Sequence, residues 1–128
     1  MRIAQRVLAW ERAPERSHVD ITLLSPAAMR RANRRATGRR GLTDVIAYSL
    51  PQPDGRVLGD VYICPTAAAL AVRNGGGGAP GSGLHEELVR LAVHGTLHVL
   101  GYDHPTGAGR TRSRMWQLQE RYVKRILG

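Results

Sequence analysis

Three of the five histidines in this 128-residue chain fall within "HGTLHVLGYDH", residues 94–104. His94 and His98 are four apart, so on a helix both rings leave one face and can chelate one ion. His104 follows beyond Gly101, a residue suited to a left-handed helix stop that lets the chain turn back. Three neutral imidazoles fit one Zn²⁺ ion, and a tetrahedral ion so held keeps a fourth position for water. The bland alternative is three unrelated imidazoles on a helix and its turn. Clustered at one helix end they would repel on protonation, a difficulty that a metal removes. A catalytic ion is the expectation. A structural ion would need a fourth protein ligand, and Cys64, the only thiol, is the candidate.

A general base is missing from this pattern. In the zinc-protease helix a Glu follows the first His; here that position is Gly95, which argues against protease chemistry. Gly95 is expected instead to open space beside the ion for a bulky substrate. Glu87 lies about two turns away, and Asp103, beside His104, is a candidate to orient a ligand.

The positioning element is a helix over residues 84–100. Projected at about 100° per residue, it is apolar nearly all round and should be the buried centre of the fold. One polar stripe remains, Glu87, Arg90, His94 and His98; either it faces solvent or it faces a site. Glu86 and Glu87 suit the positive end of the helix dipole.

Around it, residues 2–12 read as a helix. "HVDITLLS" alternates, with Val19, Ile21 and Leu23 on one side of a strand. Ser25 and Pro26 cap a helix that runs to about Ala36 and stops near Gly38, with Ala28, Met29, Ala32 and Ala36 inward. "TDVIAYSL" and "RVLGDVYIC" read as strands joined by the turn "PQPDG", a hairpin candidate. "PTAAALAVRN" is a short helix, "GGGGAPGSG" a loop within the domain, and residues 109–127 a last helix with Met115, Leu118, Tyr122 and Ile126 in one stripe.

Lysine and arginine number 19 against 10 acids, a net charge of +9, and Lys124 is the only lysine. Guanidinium groups pair bidentately with phosphate, and such an excess favours a polyanionic partner, nucleic acid before membrane. Arg30, Arg31, Arg34, Arg35, Arg39 and Arg40 fall within eleven residues. They are either a solvated helix face or a phosphate-contacting surface; so dense a patch repels itself without a counter-anion. At 42% apolar residues the chain can form one core, as a single domain over 1–128. One cysteine excludes an internal disulfide framework, and no segment resembles a signal peptide or a membrane span. A soluble cytoplasmic protein is expected.

"HGTLHVLGYDH" resembles the His-x3-His-x5-His signature of the YbeY family of bacterial rRNA maturation factors. "GLTDVIAY" resembles that family's Thr-Asp-Val strand, and "GDVYICP" its strand leading into a helix. Order and spacing agree over residues from about 19 to 125. The resemblance implies an α+β fold: a small mixed β-sheet of about three to four strands, packed with about four to five helices around a central zinc-binding helix. It implies a single-strand-specific endoribonuclease acting in 16S rRNA 3′-end maturation and ribosome quality control, with rRNA and the small ribosomal subunit as partners. One zinc ion would be held by His94, His98 and His104.

Two departures stand out. The family commonly carries an activity-linked arginine four residues after the asparagine that Asn33 matches; here that position is Thr37, so Arg39 or Arg40 is the candidate for its place. The family also opens with a strand before the first helix, whereas this chain begins almost in the helix, so either the sheet lacks a strand or the true start lies upstream. The leading reading is a zinc-dependent endoribonuclease whose arginine surface, Arg30 to Arg40, holds the RNA backbone; whether water or the RNA's own 2′-OH attacks is left open. A non-catalytic ribosome-assembly factor with a structural zinc is the alternative, and a metal-dependent hydrolase of small molecules or peptides is a weaker third.

Overall fold

The structure, a computed structural model, describes residues 2–75, 83–103, 109 and 113–128. His104 and most of the glycine-rich loop lie outside the described residues. Among those described, the chain runs α1 (Ile3–Trp10), β1 (His18–Leu23), α2 (Pro26–Thr37), β2 (Val45–Ser49), β3 (Leu58–Ile63), α3 (Pro65–Arg73), α4 (Leu84–Val99) and α5 (Arg114–Leu127).

Local chemistry sets the helix ends. The Ser25 hydroxyl accepts the Ala28 N–H at 3.2 Å, Pro26 opens α2, and Gly38 at φ 76° closes it in the left-handed region that a side chain resists. Pro65 likewise opens α3. The last helix starts at Arg114, later than the periodicity predicts, because the Ser113 hydroxyl caps it by accepting the Trp116 N–H at 3.1 Å.

The sheet has strand order β1-β3-β2 among the described residues. β2 and β3 form the expected antiparallel hairpin, and β1 lies parallel to β3 on its other side. The sheet is therefore mixed, with β1 at an edge and Val61 of the central strand fully buried. The inward face expected for β1 is only partly realised: Val19 is buried, Ile21 half-buried, and Leu23, at the end of this edge strand, is 55% exposed.

α4 packs against α1, α3, α5 and all three strands, as its nearly continuous apolar surface requires. Leu91, Ala92 and Val99 meet Val19, Val61 and Ile63 of the sheet. Val89, Val93 and Leu97 meet Met115, Tyr122 and Val123 of α5 and Val7 of α1. Glu11, just after α1, accepts hydrogen bonds from the Tyr102 and Tyr122 hydroxyls, tying the ends of α1 and α4 to the middle of α5. Three helices and a sheet thus clamp α4 from several sides, and burial of its Val and Leu side chains at about 1.5–3 kcal/mol each holds it in place.

A histidine-bearing cleft with a cationic rim

The polar stripe of α4 has two halves with different fates. Its first half is not at a surface at all. Glu87 is 2% exposed and Arg90 3%. The Arg90 guanidinium donates to Glu120 of α5 through two parallel bonds, Nε to Oε2 and Nη2 to Oε1, both 2.8 Å. It also donates to Glu87 Oε1 at 3.2 Å and Glu86 Oε2 at 3.1 Å. One planar fork therefore serves three carboxylates, which is what lets these charges leave water. The bonds donated to Glu120 above all hold the Arg90 proton more firmly than usual. Burial alone would push the Glu120 carboxyl up, but the bonds from Arg90 and Gln119 outweigh it and keep its pKa below the ordinary value.

The second half of the stripe opens on a cleft. His94 and His98 stand one helical turn apart, with ring centroids 4.6 Å apart and planes at 78°. Both line a cavity of about 780 Å³ whose walls come from the end of α2, the following loop, β2 and α4. The pair of imidazoles that the i,i+4 spacing places on one face is thus aimed into one space. The third imidazole expected there, His104, lies outside the described residues.

His94 Nδ1 lies 2.7 Å from the Oε1 of Gln119, a residue of α5 that is 1% exposed. The amide nitrogen of Gln119 in turn donates to Glu120 Oε2 at 2.9 Å. Among the described residues no group of three His, Cys, Asp or Glu side chains is placed to hold a metal ion. Cys64, the candidate fourth ligand for a structural site, does not line the cleft. It is fully buried, packed with Met29 and Ile46. The donor chemistry suits Zn²⁺ all the same: two imidazoles stand on one wall, and the Nδ1 of one is already engaged by Gln119, which leaves its Nε2 towards a ligand.

Gly95 lines the cleft beside His94 and His98 and also meets the sheet. A Cβ there would stand 2.5 Å from Val61 Cγ1 and 2.9 Å from Cγ2. The missing side chain therefore lets helix and sheet approach each other. A glutamate at this position, as in a zinc protease, would collide with the central strand.

The opposite wall is built on Asn33 and Thr37. Asn33, buried in α2, donates from Nδ2 to the Gly41 carbonyl at 2.9 Å. The Thr37 hydroxyl lies 2.9 Å from both the Asn33 carbonyl oxygen and its Oδ1, and accepts the Arg39 N–H at 3.1 Å. Thr37 therefore shapes the turn that brings Arg39 to the cleft, where Asn33, Thr37 and Arg39 all line the wall. Arg40 is exposed and does not line it. Arg30, Arg31, Arg34 and Arg35 are exposed along α2, and none of the six arginines pairs with a carboxylate among the described residues. Met29 faces inward as expected and Ala28 and Ala32 are half-buried, but Ala36 is exposed on the cleft side, its place in the interior taken by Asn33.

Sequence reasoning missed Gln119. A glutamine set among Met115, Tyr122 and Val123 on the inner face of α5 is a buried amide that must find partners, and that register was its one available signal.

Fold and cleft together define an α+β domain that aims paired imidazoles into a groove with Arg39 on its wall. The model of the endoribonuclease YbeY family matches residues 1–127, and the chain belongs to that family. It is 34% identical over 136 residues to endoribonuclease YbeY of Micrococcus luteus, covering 100% of this chain and 82% of that one. With endoribonuclease YbeY of Moorella thermoacetica it shares 38% identity over 120 residues, 84% of this chain and 73% of the relative. The solution structure of a Thermotoga maritima protein superposes with a TM-score of 0.64 at 27% identity, covering 98% of this chain and 75% of that one. No helix among the described residues is long and apolar enough to cross a membrane.

Proposed function

We propose that this protein, a nuclease of the endoribonuclease YbeY family acting on RNA, is a zinc-dependent, single-strand-specific enzyme. As one domain over residues 1–128 it works in the cytoplasm on the 3′ end of 16S rRNA and in ribosome quality control, in contact with the small subunit. The observation that carries the reading is that His94, His98 and Arg39 line one cleft.

His94, His98 and His104 would hold one Zn²⁺ ion. When bound, it supplies a Lewis acid for a phosphoryl oxygen and lowers the pKa of a bound water towards about 7. The chain's own residues do the rest. Arg39 offers charge-assisted hydrogen bonds to the phosphate in the cleft, which makes it the better of the two arginine candidates; Arg40 joins Arg30, Arg31, Arg34 and Arg35 along the outer backbone path. Tyr48 lends the cleft an aromatic wall, its ring edge-on to Tyr62 at a centroid distance of 5.7 Å. Such a wall accepts an unstacked base and offers nothing to a paired one, which supports a single-stranded substrate.

The test is cleavage by purified protein of matched single-stranded and duplex RNAs. Cleavage confined to the single strand, abolished by chelation and restored by Zn²⁺, supports the proposal. Stoichiometric zinc with no cleavage would mean a structural ion in an assembly factor, and cleavage indifferent to chelation would remove zinc from the chemistry.

A further inference from the structure

We propose that Gln119 is a positioning residue for the zinc site: its buried amide locks His94 as the Nδ1–H tautomer, so that Nε2 is the ligating atom. The inference rests on the zinc reading above and adds a specific device to it. Glu120 is gripped bidentately by Arg90 and is therefore a carboxylate, which can only accept hydrogen bonds. Gln119 must then turn its NH₂ towards Glu120, as the 2.9 Å contact with Oε2 records. That fixes the other end of the amide. Oε1 faces His94, and an amide oxygen also only accepts, so at 2.7 Å it requires a proton on Nδ1. A neutral imidazole protonated on Nδ1 carries its lone pair on Nε2.

The direction of every bond is thus set at the far end, by the charge of Arg90. Were Glu120 not a carboxylate, the amide could turn over and present NH₂ to His94. The ring would then carry its proton on Nε2, the tautomer that cannot ligate through that atom. The cluster of Glu86, Glu87, Arg90 and Glu120 is on this view more than ballast for α4 and α5: it gives the site a defined polarity.

The experiment is nitrogen NMR of histidine side chains in metal-free protein, above the pH at which imidazoles protonate, joined to Zn²⁺ titration calorimetry. Wild type should show His94 as Nδ1–H alone. Gln119→Met, of similar shape but without donor or acceptor, should show His94 shifted towards Nε2–H and bind Zn²⁺ about 10–100-fold more weakly. Glu120→Gln, which keeps Gln119 but lets its amide turn, should show both tautomers; this variant and the wild-type spectrum decide the matter if Gln119→Met does not fold. His94 found as Nε2–H in wild type, or unchanged in both variants, overturns the inference even if zinc binds. Nδ1–H in a wild type that binds no Zn²⁺ overturns the zinc reading, and with it any role for Gln119 in metal binding.

Discussion

Gly95 of α4 stands against Val61 of β3 with no room for a single added carbon: a Cβ would meet Val61 Cγ1 at 2.5 Å and Cγ2 at 2.9 Å. This contact sets how closely the histidine helix approaches the sheet. In an exposed helix Gly→Ala would stabilise by about 1 kcal/mol. Here Val61 is branched, fully buried and held in the central strand, so overpacking at about 1–3 kcal/mol should win. Gly95→Ala is expected to lower the urea midpoint, and combining it with Val61→Ala should cost less than the sum of the two single changes. A midpoint raised by Gly95→Ala would contradict the packing account.

Arg90 pairs with Glu86, Glu87 and Glu120 at once. Replacing it by Met takes the Arg90 charge away from the buried carboxylate of Glu87, and removing one partner of a buried pair typically costs about 3–5 kcal/mol. Equilibrium urea unfolding of Arg90→Met should show a loss of that order, and Arg90→Met/Glu87→Leu should recover part of it. If the single variant is as stable as wild type, the cluster does not hold α4 to α5.

The Glu120 carboxyl has a folded-state pKa below its ordinary 4.5, since bonds from Arg90 and Gln119 outweigh the effect of burial. A depressed carboxyl contributes stability that is fully present above the unfolded value and is lost as the pH falls through the folded one. Stability should therefore decline on acidification below about pH 4.5. In Glu120→Gln, less stable at neutral pH, that acid limb should be shallower. Urea midpoints collected against pH read the difference, and parallel curves for the two proteins would assign the acid limb to other carboxyls.

The six arginines from Arg30 to Arg40 make a salt prediction. Single-strand binding should weaken with salt at a slope of roughly −0.7 per phosphate neutralised. Replacing Arg30, Arg31, Arg34 and Arg35 by Gln should flatten that slope and weaken binding across RNA sequences, with the turnover of bound RNA little changed. Arg39→Gln should instead depress turnover. Fluorescence-anisotropy titrations over a salt series, with single-turnover cleavage alongside, separate the two. An unchanged slope in the quadruple variant would return α2 to the status of a solvated face.

Much of this arrangement could be read from the chain because it is local. The paired imidazoles follow from four-residue spacing on one helix, Ser25, Pro26 and Gly38 bound α2, and the hairpin follows from "PQPDG" between two apolar runs. What could not be read is what comes from across the fold. The stripe Glu87, Arg90, His94, His98 posed a choice between solvent and site, and the structure answers it in halves. The burial of its first half depends on Glu120, thirty residues further along the chain. Gln119 and Cys64 fail for the same reason: nothing local says that one reaches His94 and that the other turns to Met29 and Ile46 instead. Thr37 looked like the loss of an arginine, and its hydroxyl proves to organise the turn that carries another, Arg39.

The central claim is that the histidine cleft holds one zinc ion and that this ion is needed to cut RNA. It is tested most directly by measuring zinc per chain and single-stranded rRNA cleavage on the same preparations of wild type and His98→Ala. Wild type should carry one zinc and cleave; His98→Ala should lose stoichiometric zinc and fall in rate by at least about a hundredfold, the scale expected when a group that stabilises the transition state is lost. A folded His98→Ala protein that keeps one zinc per chain and cleaves at the wild-type rate would contradict it.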